Sequence, residues 1–215
     1  MIRILLITLI LFLGLPPQGA PKVEPVAALS EATVAESVRL SLEAKGLRVS
    51  GVNGKPICEV WFRKDLATET REVLGAVFPQ IPEGILVGVI HFPEPNTDFR
   101  GQPIKAGFYT LRYALILEDG NHQGVSSTKD FLLLCPVAGD KDANVKMATE
   151  QLLKLSRIAA ASGHPSPWSL VPVSDEKTLP KVIKNEHDHI ILETRITTKS
   201  GPLAIGLIVF GKTEG

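Results

Sequence analysis

The chain has 215 residues, of which 44% are hydrophobic and 21% charged, a balance that excludes a disordered or low-complexity polymer and suits one domain with a real core. Lysine plus arginine and aspartate plus glutamate stand at 23 each, so no net field gathers nucleic acid or anionic lipid, and the sequence has no basic run.

Residues 1–20 read as a targeting segment. Arg3 supplies a positive start, and residues 4–15 are an uncharged apolar stretch ended by Pro16 and Pro17. Twelve helical residues rise about 18 Å, short of the roughly 30 Å of a hydrocarbon core, so a cleavable signal peptide is expected and no span in the mature chain. Cleavage is expected between Ala20 and Ala28. Ala20 has Gln18 two residues before it and Pro21 after it, whereas Val26-Ala27-Ala28 fits the small-residue rule better. No cysteine follows the apolar stretch, which argues against a lipid anchor. The expected location is therefore periplasmic or secreted, where a disulfide can persist. Cys58 and Cys135 both sit in apolar, strand-like surroundings, so a bridge between them and two buried free thiols are both open. Neither has a second cysteine at zinc-ligand spacing.

A single domain is expected from residue 36 to 212, after a leader covering residues 1–28. Residues 37–42 alternate Val38, Leu40 and Leu42 with polar neighbours, which predicts a strand, with a helix from Ser30 as the rival. Leu47 and Val49 continue the alternation, and Asn53-Gly54 predicts a hairpin into a strand over residues 57–62. Residues 64–76 are polar, with room for a short helical turn. Gly84 leads into a strand over 85–92, which Pro93 and Pro95 stop. Residues 108–117 alternate with a wholly apolar or aromatic face, Tyr109, Leu111, Tyr113, Leu115 and Leu117, and a mixed face. They predict a central strand paired with residues 131–137. Asp142 or Asn144 can cap a helix over about 143–162, with Val145, Ala148, Leu152, Leu155, Ile158 and Ala159 as its apolar stripe and Gly163 as its stop. Residues 168–175 read as a loop, and residues 189–197 and 203–210 as a closing hairpin. Strand following strand with glycine and proline punctuation predicts an antiparallel β-sandwich of about seven or eight strands with one amphipathic helix inserted before the C-terminal hairpin.

The strings G-F-Y-T-L-R-Y at residues 107–113, D-G-N-H-Q-G at 119–124 and D-F-L-L-L at 130–134 resemble an uncharacterised family of secreted bacterial proteins, as do G-K-P-I-C-E-V-W at 54–61 and the P-Q-I-P-E-G run. The resemblance covers roughly the middle half of the chain and implies export and a β-rich fold, with no established activity. The A-G-x-Y-T-L turn and strand is also similar to immunoglobulin-like and transthyretin-like modules.

Few places could hold chemistry. His187 and His189, two apart on an expected strand, point to one face, and the loop residues Asp119, Asn121 and His122 could complete a nitrogen and oxygen site for zinc, copper or iron. The bland alternative is a solvated strand entry. Asp119, His122, Ser126 and Ser127 include the residue types of a hydrolytic triad, but no G-x-S-x-G elbow accompanies them. The sequence has neither a phosphate loop nor a dinucleotide fingerprint. Trp61 and both tyrosines read as core; Trp168 is either an exposed contact or packing for the helix end. By exclusion the expectation is an exported, noncatalytic binding or envelope-associated module for a protein or cell-envelope ligand. The alternative is a metal-binding protein or metal-dependent enzyme using His122, His187 and His189 with Asp119.

Overall fold

The computed structural model describes residues 19–116, 128–160 and 162–211. In chain order these form β1 (Lys22–Val26), α1 (Glu36–Leu40), β2 (Gly46–Ser50), β3 (Pro56–Phe62), β4 (Leu86–Phe92) and the short pair β5 (Asn96–Thr97) and β6 (Pro103–Ile104). Then come β7 (Gly107–Leu115), β8 (Asp130–Pro136), α2 (Thr149–Ala159), β9 (Pro167–Val171), β10 (Lys181–Lys184), β11 (Ile190–Thr198) and β12 (Gly201–Phe210).

Ten of the strands make one antiparallel sheet in the order β1-β2-β3-β4-β7-β8-β9-β12-β11-β10. The chain meanders to β9, crosses to β10, and returns so that β12 lies against β9. The two outermost strands, β1 and β10, come into contact, so the sheet curls into a nearly closed, barrel-like sandwich. The expected class, mainly antiparallel β, is the observed one.

Period-two alternation decides which residues fill the interior. Tyr109, Leu111 and Tyr113 turn inward and join Phe62, Ile90, Phe92, Leu132, Leu134, Trp168, Leu170, Leu192, Ile205, Leu207 and Val209 in one buried cluster. The register sets Tyr113 opposite Leu132 and Leu111 opposite Leu134, so β7 is the central strand that its pattern predicts. Its mixed face, Thr110, Arg112 and Ala114, is buried as well, beneath residues 137–148 and α2. Asn53-Gly54 makes the β2–β3 turn, with Gly54 at φ +74° and the Asn53 carboxamide oxygen accepting the Lys55 N–H at 3.0 Å.

Several elements differ from expectation. Residues 37–42 do not form a strand: α1 occupies 36–40, because Val34, Val38 and Leu42, four apart, meet Trp61, Leu86 and Val89 on the outer face of the sheet. Leu40, which alternation would bury, is 66% exposed. Residues 22–26, expected within the leader, are strand β1. Residues 168–171, expected within a loop over 168–175, belong to β9, which bridges β8 and β12, and Trp168 is only 1% exposed, tilted over Phe92 at 5.0 Å. β10 is a further unexpected strand. The helix starts at Thr149 instead of residue 143, and Ala148 caps it without a side-chain bond. Upstream, Asp142 and Val145 give their carbonyls to Arg112 and Met147 gives its N–H to Gly84, so tertiary bonds take the backbone that a longer helix would use. Its buried face is Leu152, Ser156 and Ala159, and Ile158 points outward.

Candidate functional site

Four buried ionisable groups, Arg112, Asp140, Asp130 and Asp98, are engaged by the fold itself. Arg112 is fully buried and all five of its N–H groups are used. Nε and Nη2 donate to the two carboxylate oxygens of Asp140, each at 2.6 Å, and the remaining donors reach the carbonyls of Gly84, Val145 and Asp142 at 2.7–2.8 Å. The Thr110 hydroxyl donates to Asp140 at 2.6 Å. A saturated guanidinium has nothing left for a ligand. Gly84 lies under this knot at φ +82°, where an added Cβ would stand 1.9 Å from the Met147 carbonyl oxygen. Asp130 accepts the N–H groups of Val77 and Phe78 and the Tyr113 hydroxyl, at 2.6–2.9 Å; burial and then that bond push the Tyr113 phenol up. Asp98 accepts from the Arg100 and Gln102 backbone and from the Gln102 carboxamide, yet burial still raises its carboxyl above the usual range.

Of the expected metal set, Asp119 and His122 lie outside the described residues, as do Asn121 and the serines of the notional triad. His187 and His189 do not sit on a strand. Residues 185–189 form a turn in which the Asn185 carboxamide oxygen accepts the N–H groups of His187 and His189 at 3.1 and 2.9 Å, and Asp188 adopts φ +61°. The two rings nevertheless lie 5.8 Å apart, and His189 is buried edge-on to Phe99 at 5.5 Å. Lys184 bonds Asp188 at 2.7 Å and holds that carboxyl below its ordinary value. Among the described residues no group of three or more histidine, cysteine, aspartate or glutamate side chains converges to hold a metal.

Cys58 and Cys135 are free. Cys58 faces the barrel interior, whereas Cys135 lies on the opposite face of the sheet beneath α2 with Ala114, Leu133, Met147 and Leu152. The bridge is not made because the side chains occupy separate cores. Burial pushes both thiols well up, so neither is a ready nucleophile.

Two polar arrangements escaped the sequence reading. One is a row across the outside of β2, β3, β4 and β7, where Arg48, Glu59, His91 and Phe108 stand directly opposite one another. Arg48 donates twice to Glu59, at 2.6 and 2.8 Å; His91 Nδ1 lies 3.1 Å from the other carboxylate oxygen and its ring stacks on Phe108 at 4.1 Å. Burial opposes ionisation of Glu59, but the Arg48 and His91 bonds outweigh it and hold the carboxyl below its ordinary value.

The other is an open cleft of about 530 Å³ at one end of the barrel. Leu66 bridges to Thr198, its N–H donating to the Thr197 carbonyl at 2.9 Å, and this lays residues 66–72 beside the β11–β12 hairpin. Thr68, Thr70, Glu72, Gln80, Thr198 and Ser200 line the cleft, and the Thr68 and Ser200 hydroxyls lie 2.6 Å apart. Arg71, also in the lining, is bound to Glu83 at 2.9 Å and stands 3.7 Å from Glu69, which raises its pKa and neutralises it as an anion receptor. With Gly201, Pro202 and Leu203 completing the lining, the cleft joins hydroxyls, one carboxamide and carboxylates to an apolar side, which suits a neutral, hydroxyl-bearing ligand better than an anion. Sequence spacing could not reveal this site, because its walls are about 130 residues apart in the chain.

The fold therefore defines a mainly β, antiparallel barrel-like domain with a polar cleft at one end. In comparisons with protein families, curated proteins and solved structures, nothing matches the chain.

Proposed function

We propose that this chain is an exported, noncatalytic binding module of the bacterial envelope, and that it holds a neutral, hydroxyl-rich ligand such as a cell-wall glycan in the cleft between residues 66–72 and the β11–β12 hairpin. The observation that carries the reading is the contrast between that open polar cleft and the buried ionisable groups Arg112, Asp140, Asp130 and Asp98, each already engaged by the fold. The positively led apolar segment over residues 1–20 supports export. The test is co-sedimentation of the purified protein with isolated cell-wall glycan. Binding that falls at least tenfold with Gln80→Ala and Glu72→Ala supports the reading; no sedimentation, or sedimentation that both variants retain, overturns it.

The proximity of the His187 and His189 rings favours one rival, a zinc or copper site. Stoichiometric metal in protein purified without a histidine tag, lost on His189→Ala, would establish it; no metal and no thermal shift with zinc or copper would end it.

A further inference from the structure

The stretch between the apolar leader and α1 is built into the barrel. β1 pairs along its whole length with β2, from Lys22 opposite Ser50 to Val26 opposite Gly46. Val23 packs against the interior cluster, while Val26 and Leu29 pack beneath α1 against the outer one. The Ala27 carbonyl accepts the Trp61 indole N–H at 2.8 Å, and Trp61 is 4% exposed. Gly46, opposite Val26, must be a glycine because an added Cβ would meet the Trp61 ring at 2.6 Å, so β1, β2 and the indole form one fitted unit. The best small-residue pattern for excision, Val26-Ala27-Ala28, thus lies inside the fold. A cut after Ala28 would remove β1, leave the β2 edge unpaired and deprive a buried indole of its acceptor.

Ahead of the ladder the chain is different. Gly19 and Ala20 are exposed, belong to no strand, and are the last small residues before Lys22. We propose that the processing site of the exported chain is at Gly19 or Ala20, so that the mature protein begins at Ala20 or Pro21 and keeps β1 as a structural strand. This rests on the export reading. The excision is ordinary peptide hydrolysis: water adds across the Gly19–Ala20 or Ala20–Pro21 bond, leaving a carboxylate on the leader and an amine on the mature chain.

The experiment is intact-mass and N-terminal analysis of the full-length chain expressed in a bacterium, after separation of cytoplasm from exported material. An exported chain beginning at Ala20 or Pro21 supports the proposal. An exported chain beginning at Ala27 or later, or one still carrying Met1, overturns it while leaving export intact. A Met1-bearing chain confined to the cytoplasm defeats the export reading itself, and the processing site with it. Two variants sharpen the assignment, both at exposed positions. Gly19→Lys combined with Ala20→Lys should accumulate unprocessed precursor at least tenfold, whereas Ala28→Lys should be processed as the parent is; the reverse pattern places the cut after Ala28 and overturns the proposal.

Discussion

The outer flank of β7 and the far end of the barrel both gather polar side chains, and they use them in opposite ways. On the flank, Arg112, Asp140 and Thr110 are cut off from water and satisfy one another, together with three backbone carbonyls. At the end, Thr68, Thr70, Gln80 and Ser200 face an open cleft. A buried polar group with all its bonds made is a clamp, and its removal is felt by the fold. An exposed one with bonding capacity to spare is a contact, and its removal should be felt only by a ligand.

The sharpest way to break this contrast is at the clamp. Asp140→Ala leaves the Arg112 guanidinium buried and uncompensated, so urea denaturation should show a loss of about 3–5 kcal/mol, whereas Arg112→Met with Asp140→Leu should lose clearly less than that. Gly84→Ala comes next. It forces a side chain into positive φ and against the Met147 carbonyl, and should lower stability by at least about 1–3 kcal/mol, read from the shift in Tm.

Smaller effects, at two polar groups outside both regions, are read by pH. Glu59 titrates below its ordinary value in the folded chain, so its contribution is present above about pH 4.3 and is lost as pH falls through the lowered native value. Asp98, raised by burial, runs the other way: its contribution is complete below about pH 3.9 and declines as pH rises through the native value. Glu59→Gln should flatten the acid limb of the stability curve while costing no more than about 1 kcal/mol at neutral pH, because Arg48 is 44% exposed. Smallest of all, Thr70→Ala should leave Tm within the shift that about 0.5 kcal/mol produces while weakening glycan binding. A large fall in Tm would mean that the cleft is a clamp too.

What the chain revealed in advance was whatever its local period could carry. Residues 108–115 alternate so regularly that both the strand and its inward face follow, and Asn53-Gly54 announces its turn. Residues 34–42 satisfy two periods at once, alternation through Val38, Leu40 and Leu42 and fourfold spacing through Val34, Val38 and Leu42; only packing against Trp61, Leu86 and Val89 decides between them. β9 was hidden because five residues beginning at a proline give too little pattern, although Trp168 and Leu170 do alternate. The start of α2 depends on where the donors of Arg112 fall, and the cleft on a bridge between Leu66 and Thr198, neither of which is local. For the histidine pair, the motif was visible but its setting was not: an asparagine-capped turn replaces the expected strand.

The crossing that lays β12 between β9 and β11 makes this strand, which follows both of its neighbours in the chain, the keystone of the sheet. Until it emerges, the wall ending at β9 and the ribbon of β10 and β11 share no ladder, and each shows the solvent a bare, apolar margin. A chain stalled or clipped before Gly201 would therefore hold its two parts together only through the β1–β10 contact and the Leu66–Thr198 bridge, and the cell would meet it as a substrate for chaperones and proteases.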